Sequence, residues 1–212
     1  MSTATRALLL LVALALLPGC FSGLNSKMPS QQRYVLQANP ALPAAAGQPV
    51  AAATGSLQVM RPSPAPGLEG TGIAVWRPGA RLDFYSDSRW AANAPSALQM
   101  LVIDSLRNAG RFATVESDSD PFAAQYMLSL ELEHFEARYG AAGPPTVEVA
   151  LVASLGRRID RSVIVSFTAR SSVKAEDDRM QAVIAAFEQA TSEALAQLAA
   201  NIVPPAPTSA SP

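Results

Sequence analysis

The run YMLSLELEHFEARYGAAGPPTVEVALVASLGRRIDRSVIVSFTAR, residues 126–170, decides the fold. In its first part Tyr126, Leu128, Leu130 and Leu132 point one way, while Ser129 and Glu131 point the other. After Leu132 the parity slips: Phe135, Ala137 and Tyr139 take the opposite phase, which predicts a bulge or a strand leaving the covered part of a sheet. Val147, Val149, Leu151, Ala153 and Leu155 then alternate, as do Val163, Val165, Phe167 and Ala169. A period of two means a half-buried strand. With turns at 140–145 and 156–162, the run reads as an antiparallel meander with one face covered. The cover follows in the sequence. Met180, Val183, Ile184, Phe187, Thr191, Ala194, Leu195, Leu198 and Ile202 trace one stripe of a long helix over about residues 178–202, ended by Pro204 and Pro205.

Reading toward the N-terminus, Asn93 caps a second helix with Pro95 in its first turn, and Gly110 closes it. Its face is Leu98, Leu101, Val102, Ser105, Leu106 and Ala109, and a short strand is expected at 112–115. Ile73–Trp76 and Leu82–Tyr85 flank Pro78-Gly79, a turn signal, and predict a hairpin. A strand around Leu57 and Val59 should stop after Arg61, because Pro62 and Pro64 cannot donate to a ladder. The folded body is expected over 55–203 and a disordered tail over 204–212. Before the body, 20–54 reads as a tether with a short strand near 33–37 and an Ala/Pro-rich loop at 38–54. No repeat of fixed period stands out.

The first nineteen residues have the layout of an export signal. Arg6 is the one charge, Ala7–Leu17 is an eleven-residue apolar run, and Pro18-Gly19 break it. As a helix that run covers only ~16 Å, short of a membrane span. Leu17-Pro18-Gly19-Cys20 resembles the bacterial lipobox, with Pro18 a less usual choice. The resemblance implies cleavage before Cys20 and a lipidated, fatty-acylated Cys20 as first residue of the mature chain. Phe21, not an aspartate, follows, which resembles outer-membrane sorting. Cys20 is the only cysteine, so no intrachain disulfide and no thiolate zinc site can form.

Removing 1–19 leaves 15 Lys+Arg against 17 Asp+Glu, a net charge of −2. That body is no electrostatic binder of nucleic acid. At 212 residues the chain suits one domain with a real core. Catalytic patterns are missing: no nucleophile elbow, phosphate loop or metal-spaced cluster occurs. The single His134 reads as structural or solvated, and Glu131 and Glu133 as a solvent-facing strand edge. No enzyme, metal or cofactor is expected, and an envelope hydrolase is disfavoured. Arg157, Arg158 and Arg161 crowd a turn with Asp160. They read as a solvated turn, or as a contact for phospholipid headgroups or an acidic partner. Trp76, Tyr85 and Trp90 read as core or rim packing, or as the lining of a partner groove.

The order of the short motifs carries a further reading. Tyr34-Val35-Leu36 follows the lipobox; then come Leu68-Glu69-Gly70-Thr71-Gly72-Ile73-Ala74-Val75, Leu82-Asp83-Phe84-Tyr85 with Arg89-Trp90-Ala91, and Gly110-Arg111-Phe112. Tyr126-Met127-Leu128, the Phe135 strand and an Ala-rich helix close the series. This order resembles the ABC-type transport auxiliary lipoprotein family, the PqiC/YmbA type, over most of residues 20–203. The resemblance implies a three-layer α/β fold with a mixed sheet and two main helices, similar to the TolB N-terminal domain. It also implies a periplasm-facing lipoprotein of the outer membrane, with the inner membrane left open, serving an MCE/ABC-type lipid transport system that supports the outer membrane. The implied partners are an MCE-domain protein of the transporter and the membrane itself; a homo-oligomer is left open. The competing reading is a structural or assembly lipoprotein of another envelope complex. A docking surface is expected at Gly70, Gly72, Tyr85, Arg89 and Trp90, an arginine beside an aromatic being a common interface anchor. On that reading Trp90→Ala weakens partner capture without unfolding the domain.

Overall fold

Thirteen residues, Tyr126–Arg138, form the strand around which the rest is arranged. A computed structural model describes residues 31–41, 54–79 and 81–205. In chain order the strands are β1 (Gln32–Tyr34), β2 (Ser56–Val59), β3 (Ser63–Pro64), β4 (Gly72–Arg77), β5 (Arg81–Trp90), β6 (Thr114–Ser117), β7 (Tyr126–Arg138), β8 (Thr146–Arg157) and β9 (Val163–Lys174). The helices are α1 (Ala94–Ala109) and α2 (Met180–Asn201).

The described strands make one mixed sheet. One edge of β7 pairs antiparallel with β8 along its whole length, and β8 pairs antiparallel with β9. This is the expected meander. The other edge of β7 is shared by three parallel strands in succession: β2 at Tyr126–Leu128, β3 at Glu131–Leu132 and β4 at Glu136–Arg138. β6 extends the sheet beyond β2, while β5 and then β1 extend it beyond β4. The strand near 33–37 is thus a shorter one, Gln32–Tyr34, and belongs to the sheet rather than to a tether; Leu36 behind it is buried.

The prolines act differently from expectation. They separate β2 from β3, but the chain stays on the same edge of β7. Met60 N–H donates to the Leu128 carbonyl at 2.9 Å and Ala65 N–H to the Leu132 carbonyl at 2.8 Å, so the missing proline donors fall between two supplied ones.

The parity slip is a bulge. The β7–β8 register shifts between Leu132 and His134. One extra residue, Glu133, lets Leu128, Leu130 and Leu132 before it and Phe135 and Ala137 after it all face the core. β8 does not slip, and Val147, Val149, Leu151, Ala153 and Leu155 are fully buried.

Both helices lie on that core face, packed on each other, with α2 over β8–β9 and α1 over β2 and β6. α1 starts where the Asn93 side chain accepts from Ser96 N–H at 3.0 Å and stops at Gly110, whose φ of 65° favours glycine. Ile103 joins its buried stripe, and Leu101 and Ala109 lie half-buried at its margin. The α2 stripe from Val183 to Leu198 is buried as the spacing predicted. The opposite face of β7–β9 carries no described helix and shows Ser129, Glu131, Thr168 and Arg170 to solvent. The α/β class, mixed sheet and two main helices stand as expected.

Trp90 corrects one expectation. It is 2% exposed. Its ring lies 5.5 Å from Phe135 and 5.2 Å, edge-on, from Phe187, and those two are 5.0 Å apart. Such an aromatic cluster is a core centre. β5 ends there, and a strand end under α2 is covered, so the indole is no interface anchor.

Candidate functional site

The expected docking segment divides in two. Trp90 goes inward; Arg89, paired opposite Gly72 across β4 and β5, goes outward and donates from Nε to Gln31 Oε1 at 2.8 Å. The aromatic beside it on the surface is Phe84, 45% exposed. Its ring lies over Gly72: a Cβ there would come within 2.5 Å of the ring. Gly72 therefore has to be glycine for Phe84 to sit flat on the strand. The loop is tied down around it, with Trp90 N–H donating to the Thr71 carbonyl at 2.8 Å and Ala94 N–H to the Gly70 carbonyl at 3.4 Å. An arginine–aromatic surface exists here, but its aromatic is Phe84. Strand parity misleads here: six residues separate Phe84 and Trp90, which in a regular strand puts both on one face, and the register shift between Gly72 and Ala74 breaks that relation.

Tyr85 is not part of this surface. Its hydroxyl meets Tyr139 Oη at 2.9 Å, and Tyr139 donates to Asp178 Oδ1 at 2.5 Å. Arg77 stands over the Tyr139 ring, 5.0 Å from its centre. Burial pushes the Tyr85 and Tyr139 phenols up, and for Tyr139 the bonds to Asp178 and Tyr85 add to it. The chain Tyr85–Tyr139–Asp178 joins β5, the end of β7 and the approach to α2. That is a latch between elements.

A polar network, unread in the sequence, occupies the helix-free face of the sheet. Beyond the bulge, His134, Glu136 and Arg138 alternate on β7, and Glu148 pairs opposite Glu136 on β8. Glu136 is 4% exposed. Its carboxylate accepts from Phe135 N–H at 2.7 Å, and from Arg138 Nη2 and His134 Nδ1, each at 2.9 Å. Arg138 Nε also reaches Glu148 at 2.8 Å, and its guanidinium lies over the Trp76 ring at 5.2 Å. His134, Glu136 and Glu148 offer ligand atoms within 4.8 Å of one another. Arg138 bridges the two carboxylates, so the arrangement is a hydrogen-bonded ion-pair network. Glu131 and Glu133 are exposed, as read from the sequence.

The three arginines of the β8–β9 turn are engaged differently. Arg157 pairs with Asp160 at 3.0 Å. The Ser162 hydroxyl and N–H, with Arg157, hold the Asp160 carboxyl down at about 2. Arg158 donates from Nη1 to Gln58 Oε1 at 2.6 Å. Arg161 has a φ of 57° and is exposed. Cys20 lies outside the described residues. No helix among the described residues is long and apolar enough to cross a membrane.

Comparison with known proteins follows the same geometry. A family model described as "ABC-type transport auxiliary lipoprotein component" matches residues 34–203, from the end of β1 to just past α2. A protein of Xanthomonas campestris assigned to the DUF330 family has a crystal structure similar to this fold, with a TM-score of 0.66 and 26% identity, over 79% of this chain and 92% of that one. A second crystal structure, titled only as an uncharacterized protein, has a TM-score of 0.61 at 14% identity, over 81% and 97% of the two chains, and speaks for the fold alone. No curated protein matches.

Proposed function

The chain belongs to the ABC-type transport auxiliary lipoprotein family, and on that premise we propose that it is moored by lipids on Cys20 at the periplasmic face of the outer membrane, where it docks the MCE-domain partner of a lipid transporter. The family is described as one of auxiliary components. Two or more acyl chains hold a protein stably at a bilayer, each buried methylene contributing ~0.8 kcal/mol.

The observation that carries the docking reading is the exposed Phe84 ring lying on Gly72 beside Arg89. An aromatic ring and a guanidinium, both placed at Gly72 by contact and by strand pairing, are residue types enriched at interfaces. Gly70 and Gly72 shape the backbone under them. Tyr85 acts behind the surface, by fixing β5.

The test is capture of the MCE-domain protein by the full lipidated chain from solubilised envelopes. Phe84→Ala with Arg89→Glu is expected to cut recovery about tenfold, with membrane fractionation unchanged. Undiminished recovery removes this surface from the interface. A wild-type chain that captures no transporter component at all defeats the reading as a whole, in favour of an assembly role elsewhere in the envelope.

A further inference from the structure

The β8–β9 turn has an apex that no internal contact explains. Ile159 stands at its tip, 90% exposed, and Val163 at the start of β9 is 67% exposed. The loop before Tyr126 adds Phe122, 76% exposed, at the end of the sheet where β7 begins. Polar residues are the usual choice at such a turn.

The backbone under that side chain is held firmly. Arg157 N–H donates to the Ser162 carbonyl at 2.9 Å and Arg158 N–H to the Gln125 carbonyl at 3.0 Å. Asp160 accepts from Ser162 N–H at 3.0 Å and from its hydroxyl at 2.7 Å. Ile159 is therefore presented by a braced turn.

The charge around it is one-sided. Residues 157–161 carry three arginines and one aspartate. Asp160 is spent on Arg157. The polar partner of Arg158 is Gln58, which is neutral, and Arg161 makes no ion pair among the described residues. Two positive charges thus flank an apolar apex. Such a tip suits a bilayer surface, where one apolar side chain enters the acyl boundary and guanidiniums meet phosphates.

We propose that this tip is a second membrane contact, in which Ile159 enters an anionic phospholipid surface and Arg158 and Arg161 bind its phosphates. The inference uses the family's lipoprotein character and is independent of the docking surface at Phe84 and Arg89. The contact sets how the body lies against the bilayer, which an acyl anchor alone does not.

The experiment uses the full mature lipoprotein in vesicles, with no protein partner present. With Cys20 lipidated, Ile159→Cys supplies one thiol for a nitroxide, at a site exposed enough to tolerate the change. In vesicles containing phosphatidylglycerol, accessibility of the 159 label to a water-soluble nickel chelate is expected to fall at least threefold while accessibility to oxygen rises. Pure phosphatidylcholine vesicles should leave it unchanged, and so should moving the label to Ser129→Cys on the open sheet face. Arg161→Glu in the Ile159→Cys background should restore exposure. A 159 label equally open to the chelate in both vesicle types overturns the contact; protection that ignores lipid charge overturns the part assigned to the arginines.

Discussion

Single residues show how far burial decides role. Trp90 sits between Phe135 and Phe187, and its Nε1 has no hydrogen-bond partner among the described residues. Trp90→Ala should leave a cavity and cost about 3–5 kcal/mol of stability, seen as a large drop in Tm on thermal melting. Trp90→Phe should cost clearly less, because the ring is kept and an unpaired buried N–H is removed. Equal Tm values for the two variants would contradict this packing role. Glu136 is the polar counterpart. Its buried carboxylate is satisfied chiefly by Arg138, so Arg138→Ala should destabilise by about 3 kcal/mol, measured by urea unfolding. Arg138→Lys should recover only part, since an ammonium cannot serve Glu136 and Glu148 in the same plane. No loss of stability on removing Arg138 would mean that Glu136 finds water instead.

At the scale of elements, the Tyr85–Tyr139–Asp178 latch makes a pH prediction. Folding raises the Tyr139 phenol above its ordinary value of 10.0. The folded chain therefore keeps a proton that the unfolded chain gives up, so the latch contributes fully below about pH 10 and is lost as pH rises above it. Tm measured from pH 8 to 11 should be flat and then fall; in Tyr139→Phe the fall should be shallower. Asp118 acts in the opposite direction. Burial opposes its ionisation, but bonds from the Gln99 amide and the Arg61 N–H outweigh that and hold its carboxyl low. Its contribution is present above the ordinary carboxylate range and disappears as pH falls through it. Gln99→Ala should thus lower Tm most at neutral and alkaline pH, with the difference from wild type shrinking as pH falls through the carboxylate range. The elements themselves were largely legible: the meander, the Pro78-Gly79 hairpin, the Asn93 and Gly110 caps of α1 and the stripe of α2 all follow from local periodicity and capping chemistry. β3 was not legible, because a two-residue bridge through Pro64 exists only where β7 offers its edge.

For the molecule as a whole, one cysteine holds the functional reading together. Cys20→Ser is expected to move the protein from the membrane to the soluble envelope fraction, and mass spectrometry of the native protein should find an acylated Cys20 at its N-terminus. A mature chain starting elsewhere, without fatty acid, would separate this protein's location from that of its family. The asymmetry of the sheet matters at the same scale: among the described residues both helices lie on one face, and the other carries the ion-pair network.

By itself the sequence determined the α/β class, the strand and helix periods, the slip after Leu132 and the family, since each of these is written in neighbouring residues or in motif order. Tertiary structure alone decided that Trp90 is core and Phe84 surface, that Glu136 and Arg138 close on Glu148, and that β2, β3 and β4 line up along one edge of β7. The physical reason is range: hydrophobic alternation is local, whereas which face a strand end shows, and which charge finds which partner, depends on elements distant in the chain that pack beside it.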